Sequence, residues 1–188
     1  MVAKSALLVL SLLACVHATT KFIPAVEDLE DDKTCYIDPV FDKDDIQITK
    51  DIQYGSSWNG KTNSTQLLML DAYLPPDSDT RESKPTIVFI HGGGFTDGDK
   101  SAADDMAFVM ELCIRGYAAV SINYRLTGEF YPWDTERAVL DAQEDARAAV
   151  RFIRSQAGDY NLDTERIVIM GESAGAYTSL YVGYAKNA

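Results

Sequence analysis

The sequence predicts an α/β chain, a mostly parallel sheet with helices on both faces, and three observations carry that expectation. From residue 46 onward, runs of β-formers alternate with stretches of helical periodicity, the pattern that places helices on both sides of a parallel sheet. Residues 86–90, TIVFI, form a continuous apolar and β-branched run, as in a strand covered on both faces. Two glycine-rich stretches, HGGGF and GESAG, each follow such a run directly, at the carboxyl strand ends where ligands collect in these sheets. At 188 residues, 46% hydrophobic and 24% charged, the chain can build one sizeable core.

Residues 1–18 carry Lys4, a short apolar run over 6–16 and a small-residue site ending at Ala18, the marks of a secretory leader. That run is too short to cross a membrane; lipid attachment at Cys15 is the alternative. Residues 19–45 are acid-rich and read as an N-terminal strap. Residues 46–54 and 66–74 are expected as strands joined by the polar turn GSSWNGKTNST, and Pro75-Pro76 closes the second. After the strand at 86–90, a helix is expected over 102–115, with Met106, Val109, Met110 and Cys113 on one side and Gly116 as its stop. A strand at 117–122 follows. Residues 135–157 hold the clearest helix, since Val139, Ala142, Ala146, Ala149, Val150, Ile153 and Ala157 recur at three and four. A strand at 166–170 then leads into a helix from Ala174.

The formal charge is −12, and loss of Lys4 with the leader makes it −13. Such a surface repels phosphate backbones, so nucleic acid is excluded as a partner. No basic amphipathic stretch suits an anionic membrane, no ligand pattern predicts a metal, and no cofactor motif appears. Cys113 lies among Leu112 and Ile114 and is expected to be a buried, unreactive thiol, although pairing with Cys35 is open. Asn63-Ser64-Thr65 is an N-glycosylation sequon in a eukaryotic host.

In Gly171-Glu172-Ser173-Ala174-Gly175, one serine sits where a strand turns into a helix. A hydroxyl is a weak nucleophile and must be exposed and activated. A tight turn exposes it and strains its backbone, and the residues two before and two after must be small, hence Gly171 and Gly175. The following helix turns its first N–H groups and positive end toward the site. His91-Gly92-Gly93-Gly94-Phe95 leaves backbone N–H groups unscreened in one small volume, as an anion pocket requires. No phosphate-loop or dinucleotide fingerprint competes, so an oxyanion pocket for ester hydrolysis is the better reading.

HGGGF, then SINYRL at 121–126, then GESAG, in this order, resembles the α/β-hydrolase carboxylesterases, including the hormone-sensitive-lipase-like group. The likeness covers roughly residues 86–185. It implies an α/β-hydrolase fold, Ser173 as nucleophile, and the N–H groups of Gly93, Gly94 and Ala174 as oxyanion donors, with His91 bracing its loop. The implied reaction proceeds through an acyl-enzyme on small-molecule or polysaccharide-linked carboxylic esters. Phe95, Tyr124, Trp133 and Tyr177 are aromatic candidates for the acyl pocket. In this fold an acid and then a histidine follow the serine, whereas residues 174–188 contain neither, and the chain's two histidines are His17 and His91. The expectation is therefore that residues 46–188 form the N-terminal portion of the hydrolase domain, with its C-terminal strands missing. A hydrolase-like binding module without catalysis, and a peptidase or lipase of the same fold, are the alternatives.

Overall fold

The computed structural model of the chain describes residues 36–127 and 135–184. Two compact units divide the chain, Met1–Asp38 and Pro39–Ala188. The leader, Cys15, Cys35, most of the acidic strap and Trp133 lie outside the described residues. Within the second unit, a short 3-10 turn at Lys43–Asp45 precedes the sheet. The order is then β1 (Gln47–Asn59), β2 (Ser64–Leu74), β3 (Lys84–Ile90), α1 (Ala103–Cys113), β4 (Ala118–Ile122), α2 (Thr135–Ser155), α3 (Ala157–Tyr160), β5 (Leu162–Gly171) and α4 (Ala174–Tyr184).

The five strands lie in the order β1-β2-β4-β3-β5. β1 with β2 and β2 with β4 are antiparallel, while β4, β3 and β5 run parallel. β3 thus lies between two parallel neighbours and is buried along its whole length, as its unbroken apolar run requires. Alternation sorts the side chains onto two faces. Leu68, Leu70, Ala72, Val88, Ile90, Val120 and Ile122 pack with Ala138, Ala142, Ala146, Ala149, Val150 and Ile153 of α2 and Ala174 of α4. On the other face, Phe89 meets Phe108 of α1 at 6.3 Å between ring centres, and Tyr73 Oη donates to Met106 Sδ at 2.8 Å. Helices cover both faces.

The expected hairpin turn is a correction. Residues 55–59 and 64–65 are strand, not turn, and only 60–63 reverse the chain. Their polarity reflects an exposed ribbon rather than a loop: once both faces of a hairpin are largely open to water, apolar alternation disappears while the ladder hydrogen bonds remain. Two register shifts, between Thr49 and Ile52 and between Gln53 and Gly55, bend this ribbon. β5 also begins at Leu162, earlier than the apolar run showed. Cys113 is buried, its Sγ donates to the Tyr73 carbonyl at 3.8 Å, and burial pushes its thiol up to about 12.

Candidate active site

Ser173 is exposed, with φ +49, between the end of β5 and the first residue of α4. A non-glycine residue in the left-handed region costs about 1–2 kcal/mol, so neighbouring structure must enforce it. The enforcement is steric. A Cβ at Gly171 would collide with the carbonyl oxygen of Ile90 and with the backbone of Gly175. One at Gly175 would collide with the same Ile90 carbonyl and would lie 2.8 Å from that of His91. The Glu172 N–H bonds Ile90 O at 3.3 Å, and Gly175 N–H bonds Glu172 O at 2.8 Å. The turn is therefore pressed directly onto the carboxyl end of β3.

The loop leaving β3 starts at that same point. Gly92 is bare against Glu172, whose carboxylate and carbonyl would both meet a Cβ there. Gly93 and Gly94 take φ +102 and +62, and Phe95 follows at +65. The Gly93 carbonyl accepts from the N–H groups of Thr96 and Asp97, both at 3.1 Å, which rolls the loop into a tight turn. The N–H groups of Gly93, Gly94 and Ala174 donate no hydrogen bond among the described residues. For Ala174 this follows from its place at the start of a helix, where the first N–H groups have no intrahelical partner.

His91 is buried and occupied. Its imidazole stacks on Tyr124, with centroids 4.5 Å apart and planes 18° apart, and Nδ1 lies 2.7 Å from the Gly92 carbonyl. With Nδ1 as the donor in that contact, Nε2 is an acceptor and has no partner among the described residues. Burial lowers its pKa, so the ring is neutral in neutral solution. Tyr124 Oη donates to the carbonyls of His91 and Gly92 at 3.1 and 3.3 Å. Burial, then the Glu172 carboxylate, push the Tyr124 phenol well above its usual range. Phe95 meets Tyr124 edge-on at 6.4 Å, and its carbonyl accepts from Thr127 N–H at 2.9 Å. Both aromatics are buried, whereas Tyr177 is 74% exposed.

The residues that sequence reasoning did not single out are those holding the loop's far side. Lys100 is buried, its ammonium 2.9 Å from both Asp71 and Asp51. Its N–H donates to Asn123 Oδ1 at 2.7 Å, and Asn123 Nδ2 donates to Asp99 at 2.8 Å. Burial pushes Asp99 upward, but hydrogen bonds from Ser101 and Asn123 outweigh it and hold the carboxyl at about 2. After Tyr124, the buried Arg125 guanidinium reaches Asp145 at 2.8 Å, Asp141 at 2.9 Å and Glu144 at 3.0 Å. Burial works against that charge, and the bonds to Asp145 and Glu144 more than restore it. A signal for this cluster was present: Asp141 and Asp145 fall on the alanine face of α2, where uncompensated carboxylates are costly and call for a cation.

No hydrogen bond joins Ser173 Oγ to an imidazole or a carboxylate among the described residues. The structure thus brings together Ser173, Ala174, Gly171, Gly175, Gly92 and His91 at the end of β3, with Gly93 and Gly94 next along the same loop.

Residues 70–188 match the BD-FAE family. A probable isoprenylcysteine alpha-carbonyl methylesterase of Arabidopsis thaliana is 29% identical over 71% of this chain and 27% of its own length. Esterase LipI of Mycobacterium tuberculosis is 33% identical over 55% of this chain and 30% of its own. Among solved structures, a truncated carbohydrate esterase from gut microbiota aligns with TM-score 0.53 and 27% identity, over 72% of this chain and 42% of that one. Esterase B of Lactobacillus rhamnosis shares the fold at TM-score 0.57 and 22% identity, over 73% and 40%. The chain therefore spans well under half the length of each of these proteins. With more than half of its residues matched, the chain belongs to the BD-FAE family, within the α/β-hydrolase carboxylesterases.

Proposed function

We propose that the chain supplies the nucleophile and the oxyanion pocket of an exported serine hydrolase acting on carboxylic esters. Ser173 Oγ attacks the acyl carbonyl carbon, the alcohol leaves, and water later releases the acid from the acyl-serine. Negative charge on the carbonyl oxygen is held by the N–H groups of Gly93, Gly94 and Ala174. One observation carries this reading: an exposed serine is held in a strained turn against the end of β3, and three backbone donors without partners among the described residues lie on the two segments that meet there. Each such donor is worth on the order of 3–4 kcal/mol in the transition state. Small or carbohydrate-linked esters are the proposed substrates, the latter because of the 27% identity to a carbohydrate esterase.

His91 braces the loop and is not the base: its ring is buried and stacked on Tyr124, and neither ring nitrogen hydrogen-bonds Ser173 Oγ among the described residues. The proton from Ser173 must go to a group outside the described residues. In a protein that supplies an acid and a histidine beyond residue 188, a fluorophosphonate probe labels Ser173, and Ser173→Ala abolishes the label. A folded, complete protein that fails to label ends the esterase reading in favour of a non-catalytic module. The 188 residues by themselves turn over p-nitrophenyl acetate no faster than their Ser173→Ala control; turnover removed by that substitution would show that a base is already present. Export rests on residues 1–18, and cleavage after Ala18 is read from the N-terminus of the secreted chain.

A further inference from the structure

The sequon singled out above is not used by the hydrolase reading, and the fold gives it an unusual setting. Asn63 closes the tight turn between β1 and β2, exposed and at φ +51, a conformation asparagine tolerates better than most residues. Neither its amide nor the Thr65 hydroxyl makes a hydrogen bond among the described residues. This is the one N-x-[ST] triplet in the 188 residues, and its middle residue is serine rather than proline.

The turn is firmly placed. Asn59 Nδ2 donates to Gln66 Oε1 at 2.6 Å and to the Leu126 carbonyl at 3.3 Å, while its Oδ1 accepts from Lys61 N–H at 2.9 Å. Lys61 Nζ reaches the Thr127 carbonyl at 3.2 Å. Exposure of Asn63 is therefore a property of the folded hairpin. Thr65 pairs directly with Trp58 across the ladder. Directly opposed residues share a face, so an indole 56% exposed lies beside the sequon's own hydroxyl residue. Such a ring, apolar on its face, is suited to the C–H face of a sugar.

We propose that Asn63 is an N-glycan acceptor and that Trp58 is the platform for its first sugar. The donor is a polyprenyl-diphosphate-linked oligosaccharide, used by an oligosaccharyltransferase. Asn63 Nδ2 bonds to the anomeric carbon, the bond from that carbon to diphosphate oxygen breaks, polyprenyl diphosphate leaves, and the amide loses one proton. Nothing is oxidised or reduced. The site requires export, so it rests on that part of the proposed function, and the test separates the two.

The full 188-residue chain is translated into eukaryotic microsomes behind its own leader and, in parallel, behind a foreign one. The expected result is a mobility shift on protease-protected chain, removed by peptide-N-glycosidase and absent in Asn63→Gln and Thr65→Ala. Because transfer is read on protected chain, it does not depend on whether a variant folds. Modification behind the foreign leader alone upholds the acceptor and removes the export reading. Protected chain with unmodified Asn63 behind both leaders overturns the proposal. For the platform, the glycosylated protein melts higher than its enzymatically trimmed form, and Trp58→Ala removes that gap. An unchanged gap overturns the role of Trp58.

Discussion

The two glycine-bearing segments at the end of β3 are held in place by different means. The Gly171–Gly175 turn is fixed by close backbone approach: Ile90 O excludes any Cβ at either glycine, and α4 begins at once. The His91–Gly98 loop is fixed by residues of distant elements, namely the Tyr124 hydroxyl beneath it, the Asn123 side chain on the Lys100 N–H at its exit, and the Thr127 N–H and hydroxyl on the Phe95 carbonyl. A local steric device fails at one atom, whereas a distributed clasp fails by degrees. Substitutions in the two regions should therefore differ in size and in kind.

The largest effect is expected where the clasp is anchored deepest. Arg125→Met leaves the buried Asp145 without its cation, Asp141 keeping only Arg137, and should destabilise the chain by about 3–5 kcal/mol, read as a lower urea midpoint. A loss below about 1 kcal/mol would show that the cluster is better hydrated than its burial implies. Next, Gly175→Ala drives a methyl group into two backbone carbonyls at once and should cost about 3 kcal/mol, while also displacing Ser173. If its stability matches the parent, the close approach to Ile90 is not real.

Tyr124→Phe sharpens the contrast from the loop's side. It keeps the ring under His91 but leaves two buried carbonyls without their shared donor, an expected loss of about 1–3 kcal/mol with the turn at Ser173 untouched. Ser173→Gly runs the other way: relief of the left-handed strain should raise stability by about 1 kcal/mol while removing the proposed nucleophile. Ser173→Ala, which retains the strain, should not gain. The smallest effect concerns pH. Asp99 ionises at about 2 in the folded chain against 3.8 unfolded, so its contribution is complete above about pH 4 and lost as pH falls through 2. Asp99→Asn should flatten the acid limb of the stability profile between those values; a parallel limb would mean that the Asn123 clasp contributes nothing there.

The turn was legible in the sequence because its requirements are local: a run of β-formers, small residues on both sides of one serine, and a helix after it. The clasp was only half legible. Tyr124 drew notice as an aromatic, yet nothing in the primary order shows its hydroxyl capping carbonyls 32 and 33 residues earlier. Arg125 and Asp145 are likewise 20 residues apart. Polarity misled at residues 55–59, where an exposed ribbon has the composition of a loop.

The amino-acid order by itself determined the alternation of strands and helices, the fully buried strand at TIVFI, and the two glycine motifs, because each depends on periodicity or on residues within a few positions. Tertiary structure alone decided which carbonyl the glycines must clear, that His91 lies stacked and neutral beneath its loop, and which cations answer the acids inside α2. Those outcomes depend on strands brought side by side from distant parts of the chain, and close packing between them has no counterpart in any single stretch of sequence.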